Sequence, residues 1–265
     1  MSETIRELLA SHSKSAPAIG APDRDWLSYG GLRTLAQTVA TSLHSAGIGR
    51  GDRVAIVLPN GPEMAAAFIT IAQSAVTAPL NPAYREDEFA FYIDDLKAKA
   101  VVLMEGDEGP ASKAAKRLGV TVLRLAVDAD QPAGQFALQT ESTGTCDQAQ
   151  SEAGDVALIL HTSGTTSRPK IVPLLQSNVA ASAQNIANSL ALTSDDRCMN
   201  VMPGVLPVLT RCASLAGCVI ATRLGTLPCR RCIRRSCRAL RAIPILSKLH
   251  ACGSCVHPRP LYPVL

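Results

Sequence analysis

Residues 53–63, Arg53-Val54-Ala55-Ile56-Val57-Leu58-Pro59-Asn60-Gly61-Pro62-Glu63, constrain the fold more than any other stretch of the chain. The run from Val54 to Leu58 is apolar without alternation, the pattern of a strand covered on both faces. Two residues later come the signals of a helix start. Asn60 suits the N-cap, Pro62 fits the first turn and Glu63 stands at the capping-box position. A strand covered on both sides and followed at once by a helix belongs to a parallel sheet with crossover helices.

The same unit recurs along the chain. A helix over residues 3–12, with Ile5, Leu8 and Leu9 on one face, precedes a Pro/Gly-bearing loop from Ala16 to Asp25. A short strand at Trp26–Tyr29 leads into a helix from Leu32 to Ala46, whose apolar face is Leu32, Leu35, Val39 and Leu43. After the strand at 53–59 the pattern predicts a helix over Glu63–Ser74 and a strand over Ala75–Leu80. It then predicts a helix over Glu86–Lys99, a strand over Ala100–Met104, a helix over Ala111–Leu118 and a strand over Thr121–Val127. Three acids open the helix at Glu86, and Lys97 and Lys99 lie at its expected end, complementing the helix dipole. The order βαβαβαβ predicts an α/β fold with parallel sheets flanked by helices. Asp128–Glu152 is polar and reads as a linker. A strand at Asp155–Leu160, a helix at Asn178–Leu190 and a strand at Cys198–Met202 follow.

The strand at 155–160 runs into Thr162-Ser163-Gly164-Thr165-Thr166-Ser167-Arg168-Pro169-Lys170. Hydroxyls and glycine-exposed backbone N–H groups donate to phosphate oxygens, and a lysine adds a point charge. Pro169 withholds one N–H and stiffens the exit. Nothing in the loop fits the Walker A spacing. By composition alone a Ser/Thr/Gly-rich surface loop with a stray lysine is the commoner case.

The nine-residue string closely resembles the T-S-G-T-T-G-x-P-K signature of the adenylate-forming enzymes, the acyl-CoA synthetase/AMP-dependent ligase family, with Ser167 where glycine is usual. Further blocks share the resemblance: Gly51 to Glu63, Pro79-Leu80-Asn81-Pro82-Ala83-Tyr84, and Asn200-Val201-Met202-Pro203. The form from His161 to Lys170 is most similar to the oxalate–CoA ligase branch. The resemblance implies ATP, Mg²⁺ and CoA as cofactors and a small-molecule carboxylate as substrate. It also implies that Thr162, Ser163, Gly164, Thr165, Thr166 and Lys170 hold the β- and γ-phosphates. His161, one residue earlier, reads as a histidine packed at a strand end. The family's Y-G-x-T-E block, acidic ribose-binding block, hinge and mobile C-terminal domain have no counterpart here. Its members are about twice this length. The resemblance therefore implies a partial adenylation domain over residues 1–203 that is inactive by itself, with no catalytic residue assigned. The alternative is a nucleotide-phosphate-binding fragment without turnover.

Beyond Pro203 the sequence changes character. Residues 1–196 carry all 22 acids against 15 basic residues, whereas residues 197–265 carry 11 basic residues and no acid. Eight of the nine cysteines fall between Cys198 and Cys255, and no aromatic residue lies between Phe136 and Tyr262. Cys229, Cys232, Cys252 and Cys255 have the spacing of a zinc ribbon, and the surrounding arginines could contact nucleic-acid phosphates. The composition instead favours a 204–265 tail with no confident fold, disordered or read out of frame, with neither a metal site nor a specific nucleic-acid partner. Arginines interrupt its apolar stretches, which argues against a membrane span. The polar start at Met1-Ser2-Glu3-Thr4 lacks an apolar signal region, so the expected compartment is cytoplasmic.

Overall fold

The computed structural model describes residues 2–141, 143–162, 169–194, 196–200 and 217–220. All of them belong to one compact unit, Met1–Leu227; the second unit, Pro228–Leu265, lies outside the described residues. The zinc-spaced cysteines and the arginines around them therefore also lie outside.

The strand at 53–57 is the centre of the molecule. β3 (Arg53–Val57) pairs in parallel with β4 (Val76–Pro79) on one side and β5 (Ala100–Met104) on the other. β6 (Thr121–Ala126) continues the parallel set beyond β5, and β8 (Val156–Thr162) continues it beyond β4. Each end is closed by an antiparallel edge: β7 (Ala137–Gln139) on β6, and β9 (Lys170–Leu175) on β8. The full order is β7-β6-β5-β3-β4-β8-β9. Val54, Ala55 and Ile56 are all fully buried, as an apolar run without alternation requires. Val54 and Ile56 join the core that contains α2 (Tyr29–Ser45) and α3 (Pro62–Ile71). Ala55 and Val57 join the core that contains α4 (Glu86–Asp95) and α5 (Pro110–Leu118). Successive side chains of one strand thus feed two helical layers, which is the period-2 geometry of a pleat.

A second sheet has the order β10-β11-β1-β2. β1 (Pro17–Ala21) and β2 (Arg24–Ser28) form an antiparallel hairpin; β1 falls where the sequence predicted a loop, and β2 overlaps the strand predicted at Trp26–Tyr29. Trp26 covers Gly20, where an added Cβ would come within 2.7 Å of the indole. β10 (Arg197–Asn200) and β11 (Gly217–Ile220) run parallel to each other, and β11 runs parallel to β1. This sheet therefore extends past Pro203, within the segment set apart by composition.

Several local expectations are corrected. The N-cap of α3 is Gly61, with no side-chain cap bond. Glu63 does not turn back on the helix end, because Arg24 Nη1 donates to it at 2.5 Å and the Gly134 N–H at 3.2 Å. α4 ends at Asp95, short of Lys99, since Lys97 takes a left-handed φ of 49°; Lys99 pairs instead with Asp52 at 2.8 Å. The stretch 128–152 is more than a linker. It contributes β7, buries Phe136 and Leu138, and lies against the turn after α2. There the Arg50 N–H donates to Asp147 O at 3.1 Å. A Cβ at Gly49 would stand 2.0 Å from that same oxygen, so only glycine permits the approach. The N-terminal helix is joined to the later part of the fold at Gln176, which opens α6 (Gln176–Ser189). Its side-chain amide donates to Ala72 O at the end of α3 (2.5 Å) and accepts from the Ile5 N–H of α1 (Ile5–Ala10) at 3.2 Å.

Candidate functional site

Because β8 runs parallel to β3, β4, β5 and β6, Thr162 ends at the same edge of the sheet as their carboxyl ends. Ligands of open α/β sheets bind outside that edge. β8 and β9 form a hairpin whose last registered pairs are His161 with Ile171 and Thr162 with Lys170. The sequence-predicted phosphate loop is therefore the connection of an antiparallel hairpin, and its first and last residues, Thr162 and Lys170, face each other across the ladder. Thr162 Oγ1 lies 3.5 Å from Lys170 O. Both side chains are exposed, and among the described residues Lys170 forms no ion pair. A hydroxyl donor and a cation at the mouth of one loop suit a phosphate oxygen. Ser163, Gly164, Thr165 and Thr166, the remaining predicted phosphate ligands, lie outside the described residues. Among the described residues, no three His, Cys, Asp or Glu side chains are grouped to hold a metal ion, and no helix is long and apolar enough to cross a membrane.

β9 escapes a sequence reading because Pro173 interrupts it. An edge strand tolerates a residue without an N–H when that position faces away from the ladder. β8 is held to the rest of the sheet at both ends of its run. Before the strand, Arg50 grips Asp155 with Nε to Oδ2 at 2.8 Å and Nη2 to Oδ1 at 3.1 Å, and also reaches Glu152 at 3.1 Å. Burial raises the Asp155 carboxyl, but the hydrogen bonds from Arg50 and from the Glu152 N–H outweigh it and hold the group below its ordinary value. Within the strand, β4 and β8 share a single registered pair, Thr77 with Leu158. The fully buried Thr77 hydroxyl adds a bond of 2.7 Å to Ala157 O.

At the loop end, His161 is packed as its place at the strand terminus predicts. Its side chain is 8% exposed, and its Nε2 lies 3.3 Å from Asp95 Oδ2 at the end of α4. Tyr92 meets the imidazole edge-on with centroids 4.7 Å apart. Tyr92 stacks on Tyr84 at 4.9 Å, and Tyr84 meets the buried Phe89 edge-on at 5.8 Å. Burial first, then the hydrogen bond and charge of Tyr92, push the Tyr84 phenol up to about 12. Asp95, Tyr92 and Tyr84 carry no mark in the sequence that ties them to the loop. The one legible trace is that Tyr92 and Asp95 stand three apart on a helix and so share a face.

A family model described as AMP-binding enzyme matches residues 7–225. The chain is 37% identical to the oxalate–CoA ligase of Saccharomyces cerevisiae over 216 residues, covering 69% of this chain and 40% of that protein. It is 35% identical to the oxalate–CoA ligase of Arabidopsis thaliana over 209 residues, covering 76% and 41%. Among solved structures, apo MatB from Rhodopseudomonas palustris superposes with a TM-score of 0.65 at 26% identity, covering 83% of this chain and 45% of that one. The chain spans less than half the length of these relatives.

Proposed function

The chain belongs to the AMP-binding enzyme family, and on that premise we propose that it forms the phosphate-binding part of an ATP-dependent carboxylate–CoA ligase fold, holding nucleotide phosphates without completing turnover. The observation that carries this reading is the hairpin. It brings Thr162 and Lys170 together at the carboxyl edge of the parallel strands, at the two ends of the signature loop. Thr162 supplies a hydroxyl donor and Lys170 a charge that no described carboxylate neutralises. Ser163, Gly164, Thr165 and Thr166 would supply the remaining hydroxyl and backbone N–H donors between them. Bound ATP would bring a pyrophosphate group whose charge Thr162, Lys170 and the residues between them would help to neutralise, with Mg²⁺ adding further positive charge. Pyrophosphate held by neutral donors and one lysine binds through charge-assisted hydrogen bonds. CoA and the small-molecule carboxylate belong to the reaction of longer relatives, and we assign no residue here to either. We keep the ligase-like part at residues 1–203 and the Cys- and Arg-rich stretch 204–265 apart from it; the family model itself runs past this boundary, to residue 225.

Calorimetric titration of the purified chain with pyrophosphate or ATP in the presence of Mg²⁺ tests the reading. The parent should bind, and Lys170→Ala should lose most of that affinity. Equal binding by Lys170→Ala would remove the phosphate site. Carboxylate-dependent ATP–pyrophosphate exchange should be absent; robust exchange would overturn the claim that turnover is not completed.

A further inference from the structure

We propose that His161, clamped between Asp95 and Tyr92, is a positioning residue that holds the last rung of the β8–β9 hairpin, Thr162 with Lys170, in place for phosphate. This inference rests on the phosphate-site reading of residues 162–170. Facing a carboxylate, the imidazole Nε2 carries the proton and donates it to Asp95 Oδ2 across 3.3 Å. Tyr92 closes the ring's remaining side at 4.7 Å. The two groups come from the last turn of α4, a helix that is itself fixed from both directions. Phe89 and Ile93 are buried beneath it, and Arg117 of α5 pairs with Glu86 and Asp87 at its start. The imidazole is therefore held by two groups of one helix turn, Asp95 and Tyr92.

The consequence reaches the loop through the backbone. His161 pairs with Ile171 in the penultimate rung of the hairpin, and the next rung is Thr162 with Lys170. Among the described residues β9 is the edge strand of its sheet. The hairpin end is tied to the helical layer by His161 and by Ile171, which packs against the same core, and the next rung, Thr162 with Lys170, lies just beyond these ties. Releasing the anchor lets Thr162 and Lys170 swing together, so the donors are less often aimed at one point. Misplacing binding groups by a fraction of a bond length is enough to weaken a charge-assisted contact.

The test uses the full chain and inorganic pyrophosphate with Mg²⁺, measured by calorimetry, with folding checked by circular dichroism. His161→Ala and Asp95→Ala should each weaken pyrophosphate binding about tenfold, and the double variant no further, since both remove one coupling. His161→Gln should bind within about twofold of the parent, because its amide nitrogen can take the place of Nε2–H. Amide exchange over residues 170–172 should quicken in Asp95→Ala and not in His161→Gln. If His161→Ala fails to fold, Asp95→Ala and the glutamine variant decide the matter alone. Binding by Asp95→Ala equal to the parent, or His161→Gln no better than His161→Ala, overturns the inference while leaving the phosphate site intact. A parent that binds no pyrophosphate overturns both.

Discussion

Gln176 offers a sharp test of how the hairpin is tied to the body of the molecule. It is 1% exposed and opens the helix that follows β9. Its amide nitrogen donates to Ala72 O at 2.5 Å and its oxygen accepts from the Ile5 N–H at 3.2 Å, so one side chain joins α6, α3 and α1. Gln176→Met keeps the length and removes both polar ends. Two buried backbone groups then lose their partner at about 1–3 kcal/mol each, and the added apolar burial returns about 1 kcal/mol, leaving a loss of about 1–5 kcal/mol. That is a large part of the about 5–15 kcal/mol that stabilises a typical domain. Gln176→Glu adds a pH signature. A carboxylate cannot donate to Ala72 O and is buried without a counter-charge, so its folded pKa lies above the unfolded value of about 4.3. A raised carboxyl contributes stability that is present below the unfolded pKa and lost as pH rises through the folded one. Measured by urea denaturation against the parent at each pH, Gln176→Glu should nearly match the parent near pH 4 and fall progressively behind toward pH 8. A Gln176→Met variant within about 0.5 kcal/mol of the parent, or a Gln176→Glu deficit that grows on acidification, would refute the assignment.

Two further perturbations probe the attachment of β8. Thr77→Val keeps the shape of a fully buried side chain and deletes its 2.7 Å bond to Ala157 O; the expected loss is about 1–3 kcal/mol in urea denaturation. Thr38→Val, which deletes an exposed bond to Thr34 O within α2, should change stability by less than about 0.5 kcal/mol, and equal effects at the two sites would count against the β4–β8 tie. Asp155 has a depressed pKa in the folded chain, so its contribution is present above the unfolded pKa and disappears as pH falls through the folded value. The stability of the parent relative to Asp155→Asn should therefore shrink on acidification, and a gap that stays constant from neutral to acid pH would show that the Arg50 pairing does not persist in solution.

The parts of this molecule that were legible in the sequence are those whose cause is local. The run Val54–Leu58 could only be a strand buried on both faces, and Pro62 could only sit in a first helical turn, so the parallel core followed from eleven residues. The loop from Thr162 to Lys170 was legible because its donors are consecutive. What stayed hidden depends on partners far apart in the chain. Glu63 looks like a capping residue until Arg24, 39 positions earlier, and Gly134, 71 positions later, claim its carboxylate. The polar stretch 128–152 looks like a linker until Gly47 and Gly49 are seen to admit its backbone at contact distance. The same contrast governs the site. The residues proposed to meet phosphate are adjacent in sequence, but the pairs that hold the strand before them are not: Thr77 lies 80 residues from Ala157 and Asp95 lies 66 from His161. β8 has only one registered rung on its neighbour β4. The Arg50–Asp155 pair before it, the Thr77 bond within it and the His161–Asp95 contact at its end therefore act in series. Weakening any one of them should loosen β8 more than it loosens the core.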